Sequence, residues 1–114
     1  MEVFYKNTKM AKVAKDLRKL TRHFVENGKW IAMCLQEIKA VPNLRELIVA
    51  PFYRRYRCHM LHNDKTGIYS MDIRDPYRVL FAPLPPVPKT DNGGIDEEKV
   101  DSVVVLDLHC DTHE

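Results

Sequence analysis

The apolar residues of this chain change their period partway along, and that change limits the fold more than any composition figure. Met10, Val13, Ala14, Leu17, Leu20 and Phe24 recur at three- and four-residue steps, and Trp30, Ile31, Cys34, Leu35 and Ile38 do so again. From Tyr56 onward apolar and polar residues alternate instead. The first period belongs to helices that bury one stripe, the second to strands that bury one face. A chain with helical spacing early and strand spacing late reads as α+β, helices packed on one side of a mostly antiparallel sheet.

The details follow from the same patterns. MEVFYK at the start alternates, with Val3 and Tyr5 on one side and Glu2, Phe4 and Lys6 on the other, which predicts a short strand. Asn7 and Thr8 are N-cap types that open a helix running to Phe24, and Asn27-Gly28 predicts its stop. A second helix ends before Pro42, so the two form a helical hairpin, and residues 43–52 read as an irregular connection. Four strands are then expected: Arg55 to Leu61, IYSMDI (68–73), YRVLFA (77–82) and VDSVVVLDLHC (100–110). The turn between the first two is residues 62–67. In the last strand Val104, Leu106 and Leu108 are expected inside, with Val103, Val105, Asp107 and His109 on the open face. The stretch 83–98, with its prolines and glycines and an acidic end, reads as a long mobile loop within a single domain spanning 1–114.

Composition excludes several classes. No apolar run approaches the roughly 20 residues that cross a bilayer, and the first ten residues lack a signal-peptide core, so a cytoplasmic protein is expected. Three cysteines, an odd number at wide spacing, read as reduced thiols rather than a disulfide framework. The net charge of +2 conceals a split. Residues 1–57 carry 13 Lys/Arg against 5 Asp/Glu, a balance of +8, and residues 58–114 carry 5 against 11, a balance of −6. That asymmetry points to a basic surface for a polyanion. Lys9, Lys12, Lys15, Arg18, Lys19 and Arg22 lie largely outside the apolar stripe of the first helix, where they serve either to grip RNA or as an ordinary solvated face.

Two chemistries remain for the open face. Period-two spacing groups Arg55, Arg57 and His59 on one strand, and Asp107, His109, Asp111 and His113 on another, with Arg78 able to join them. Arginine forks bind phosphate and histidine moves protons near neutral pH, a set suited to phosphodiester transesterification by a 2′-hydroxyl. The alternative is a zinc-stabilised interaction domain using Cys58, His59, His62, His109, Cys110 and His113. Adjacent Cys58/His59 and His109/Cys110 point to opposite faces of a strand, so no metal or other cofactor is expected.

Three motifs in order carry a resemblance. They are His59-Met60-Leu61 followed by Gly67-Ile68-Tyr69-Ser70, then Tyr77-Arg78-Val79-Leu80-Phe81, and last Asp111-Thr112-His113. In these the chain resembles the HigB-like toxins of the RelE/ParE superfamily, the toxin halves of bacterial type II toxin–antitoxin pairs. The Pro-rich insertion ending in IDEEKV (95–100) fits a longer-loop branch of them. The resemblance implies a RelE-like, microbial-RNase-like fold and a metal-independent endoribonuclease that enters the A site of the 70S ribosome and cuts translated mRNA. It implies a helix-turn-helix, HigA-like antitoxin as partner in a heteromeric complex. It assigns proton transfer to His59 and His113, phosphate binding to Arg78, and orientation of a histidine to Asp111. Arg57, Arg55, His62 and Lys65 are the further candidates for RNA phosphate. Two positions depart from the pattern: Thr112 stands where tyrosine is common, and His62 where lysine is common. Loss of the tyrosine favours a second reading, a relative that binds without cutting.

Overall fold

A computed structural model describes residues 1–61 and 67–111. It is an α+β domain with one mixed sheet of five strands. Strand β1 (Glu2–Tyr5) leads into helices α1 (Thr8–Ala14), α2 (Leu17–His23), α3 (Gly28–Ala40) and α4 (Leu44–Val49). A 3-10 turn (Pro51–Tyr56) precedes β2 (His59–Met60), β3 (Tyr69–Arg74) and β4 (Tyr77–Pro83). A second 3-10 turn (Glu97–Lys99) precedes β5 (Ser102–Cys110). The strands lie in the order β1-β5-β4-β3-β2, with β1 parallel to β5 and every other pair antiparallel.

The helical region holds three departures from the expected hairpin. The helix predicted from Met10 to Phe24 breaks at Asp16, whose extended backbone and carboxylate cap α2 by accepting from the Arg18 and Lys19 amides at 2.9 and 3.3 Å. The apolar stripe survives the break except at Leu17, which is 55% exposed. Gly28 does not end a helix; it begins α3. A Cβ there would sit 2.7 Å from the Leu20 carbonyl oxygen and the Thr21 Cα, so its bare backbone lets α2 and α3 meet. Residues 43–52, expected to be irregular, are ordered by a further cap. Asn43 accepts the Glu46 amide at 3.1 Å and starts α4, which buries Leu44 and Leu47.

The sheet presents one face to these helices. Tyr69, Met71, Val79, Phe81, Val103, Val105 and Leu108 are buried there with Leu20, Ile31, Cys34, Leu35, Ile38, Leu44 and Leu47. Burial of such side chains stabilises a fold by about 25 cal/mol per Å² of apolar area removed from water. On the other face Phe4, Val104, Ala82 and Leu80 stay outside this core.

The last strand buries a different set from the one expected: Val103 and Val105 go inside with Leu108, while Val104 and Leu106 are half-buried on the other side. The cause is the pairing with β4. Phe81 faces Val105, Leu80 faces Asp107 and Arg78 faces Cys110, so β5 spends an extra residue twice along this run. Each such bulge reverses the alternation beyond it.

The Pro-rich stretch 83–98 carries more structure than its composition suggests. Lys89 and Ile95 form a bridge around Gly93, whose φ is +88°, and the Asp96 amide donates to the Pro88 carbonyl at 2.9 Å. Ile95 lies against Gly67, where a Cβ would come within 2.8 Å of its Cδ1. Glu97 accepts from the Tyr69 hydroxyl at 2.7 Å and from Arg45 at 3.1 Å, which ties this stretch to β3 and α4. Among the described residues no helix is long and apolar enough to cross a membrane.

Candidate functional site

Cross-strand register brings the candidate residues together. His59 faces Ser70, Ser70 faces Leu80 and Leu80 faces Asp107, forming one row across four strands. Asp72 faces Arg78, and Arg78 faces Cys110, forming the next row on the same side. His59 and Arg78 are therefore two strands and two residues apart on one face, about 12 Å between Cα atoms at standard spacing. An arginine and a histidine at that Cα separation are near enough for side chains of their length to contact one phosphodiester.

The His59 ring is held by its own chain, with Nδ1 2.5 Å from the Arg57 carbonyl oxygen. A carbonyl only accepts, so Nδ1 carries the hydrogen in this contact. Arg57 provides that carbonyl because its backbone is left-handed, with φ +48°. The same turn puts its guanidinium 3.5 Å from the Asp72 carboxylate. Both groups are exposed enough for this pair to add little stability. The sequence reading did not single out Asp72, although the alternation of IYSMDI already put it on the side of Ser70.

Arg55 approaches this group from a turn and not from a strand. The strand expected from Arg55 to Leu61 is confined to His59 and Met60, since Pro51 opens a 3-10 turn that runs through Tyr56. In that turn Arg55 lies over the Tyr56 ring at 4.8 Å and donates to its hydroxyl at 2.9 Å. It lines a cavity of about 130 Å³ with Trp30, Tyr56, Asp72 and Ile73, so it shares Asp72 with the Arg57 and Arg78 side of the sheet. Asp111 follows β5 directly and is exposed, one residue beyond the Arg78 partner Cys110. His62, Lys65, Thr112 and His113 lie outside the described residues.

His109 does not line the open face with Asp107. Between the pairs Leu80–Asp107 and Arg78–Cys110, β4 has one residue and β5 has two, and His109 in this bulge lies beside Tyr77. The two rings stack with centroids 3.9 Å apart, and Phe24 lies 4.8 Å away on the other flank. Asn27 Nδ2 donates to His109 Nε2 at 2.9 Å, which joins the turn between α2 and α3 to the end of β5. No sequence signal announces this cluster, because it depends on a bulge.

Cys34 and Cys58 sit in settings that keep their thiols neutral. Burial pushes Cys58 up to about 12, with the Glu97 carboxylate adding to the effect. Burial raises Cys34 further, and Cys58 and Glu37 push in the same direction. Among the described residues no three His, Cys, Asp or Glu side chains converge as a metal set, a statement that leaves His62 and His113 aside. Compared with family profiles, curated proteins and solved structures, the chain finds no match.

Proposed function

We propose that the chain has a RelE-like fold and is a ribosome-dependent endoribonuclease, the toxin of a type II toxin–antitoxin pair acting in the cytoplasm. One observation carries the reading: His59 and Arg78 share a sheet face about 12 Å apart, with His59 Nδ1 engaged by the Arg57 carbonyl. In the proposed step Nε2 of His59 takes the proton of a ribose 2′-hydroxyl, whose oxygen attacks the adjacent phosphorus. Arg78 balances the charge of the crowded phosphorane through paired N–H donors. The 5′-oxygen leaves with a proton from a general acid, a role that the resemblance gives to His113, while Asp111 orients a histidine. The products are a 2′,3′-cyclic phosphate and a 5′-hydroxyl. Only RNA supplies the attacking group.

The basic side chains of α1 and α2 are exposed and suit ribosomal RNA phosphates. A HigA-like helix-turn-helix antitoxin is the proposed partner. Mapping mRNA 5′ ends after brief expression without antitoxin tests the reading. Cuts confined to translated transcripts are expected; growth arrest with intact mRNA would overturn it. The second reading, binding without cleavage, rests on Thr112 in place of tyrosine, and intact mRNA is the result that would favour it.

A further inference from the structure

A cavity of about 230 Å³ opens beside β5, on the stretch that runs past the end of β1. It is smaller than the roughly 300 Å³ of a drug-sized site and on the scale of one planar ring system. Met10, Val13 and Leu108 make it apolar, and the rings of His23 and Phe24 form one wall. Asn7, whose side-chain oxygen accepts the Met10 amide at 2.8 Å, also lines it, and so do two charged residues, Lys9 and Asp107. Neither makes an ion pair among the described residues. Asp107 is half-buried, and one of its oxygens accepts the His109 amide at 2.9 Å.

A half-buried carboxylate with acceptor capacity left over, set in an apolar slot, asks for a planar ligand with N–H donors. Two planar groups present paired donors to a carboxylate: guanidinium and the N1–H/N2–H₂ edge of guanine. The surroundings decide between them. Lys9 belongs to the basic run of α1 and α2, which repels an arginine-bearing peptide and attracts a phosphate. Adenine and cytosine set a donor beside an acceptor on the same edge, and uracil flanks its one N–H with carbonyls, so none of the three matches a carboxylate. We propose that this cavity is a guanine subsite, with the base edge on Asp107, the ring along Phe24 and the attached phosphate toward Lys9. As a subsite for the cleaved strand the inference rests on the nuclease reading, and it adds a base that is recognised away from the scissile bond.

Titration with the four nucleoside monophosphates, read from the amide NMR signals of Met10, Phe24 and Leu108, tests it without any cleavage. GMP is expected to bind tighter than AMP, CMP or UMP by roughly 5- to 150-fold, the range of one good bidentate base contact. Asp107→Asn keeps an oxygen for the His109 amide and turns the other acceptor into a donor, so it is expected to abolish the preference in a folded protein. Val13→Phe is expected to fill the cavity and remove binding of all four. Equal affinity for the four nucleotides, no response to millimolar GMP, or an unchanged preference in Asp107→Asn would each overturn the subsite. A chain that binds GMP here and cuts no mRNA loses the nuclease reading and keeps a guanine site. One that cuts translated mRNA and ignores GMP does the reverse.

Discussion

A methyl group added at Gly28 would meet the Leu20 carbonyl oxygen and the Thr21 Cα at 2.7 Å, and both are backbone atoms that cannot swing aside. Gly28→Ala is therefore expected to cost about 1–3 kcal/mol, the usual range for overpacking a tight contact, read as a lower urea midpoint at unchanged slope. An unchanged midpoint would mean that α2 and α3 separate at little cost. The glycine itself was visible in the sequence, but its role was not, since a helix stop and a helix crossing both select glycine. His59 is the opposite case, a residue named from the motif whose Nδ1 contact with the Arg57 carbonyl leaves Nε2 as the proposed base. His59→Gln is expected to lower cutting of translated mRNA by between about 100- and 10,000-fold, the range of general acid–base catalysis, with the melting temperature unchanged. Full cutting by that variant would move the base elsewhere.

At the level of elements, caps divide what periodicity alone would join. The apolar spacing from Met10 to Phe24 is continuous, yet Asp16 stops one helix and starts another by accepting the Arg18 and Lys19 amides. Asp16→Ala is expected to destabilise the protein by about 1 kcal/mol, and Asp16→Asn by much less, because asparagine caps nearly as well. Equal losses in chemical denaturation would assign the effect to charge instead. Asn43 works in the same way on α4, in a stretch whose short apolar run resembled a connection. Both cap residues were legible as cap types. Which of the chain's many Asp and Asn would act was not, because a cap is realised only where the next turn also finds a surface to pack on. The strand expected from Arg55 shows the same limit. Tyr56 and Cys58 are buried as alternation requires, but they arrive there through a 3-10 turn and a left-handed Arg57, and Arg55 lies over Tyr56.

For the whole molecule, the core sets a pH limit. Burial raises Cys34, Cys58 and Tyr69 above their ordinary values, and all three are neutral near pH 7 in folded and unfolded chains alike. Above pH 9 the unfolded chain gives up thiol protons that the folded chain retains, so stability that is complete below that point is lost as pH rises, for Cys58 until about 12. The unfolding free energy is expected to fall across this window, and that of Cys58→Ala less steeply, by about 1.4 kcal/mol per pH unit, as chemical denaturation at each pH would read. Parallel profiles would show that Cys58 titrates freely. Side-chain period is a local property of the chain, and it was enough to read the class, the helix stripes and the inward side of β1 from the residues alone. The split between a basic first half and an acidic second half was legible in the same way. The order β1-β5-β4-β3-β2, the reversed alternation within β5, the stacking of His109 on Tyr77 and the meeting of α2 with α3 at Gly28 emerge only once the segments pack. Each of these depends on which neighbour a segment pairs with, and an extra residue in β5 has no meaning until β4 lies beside it.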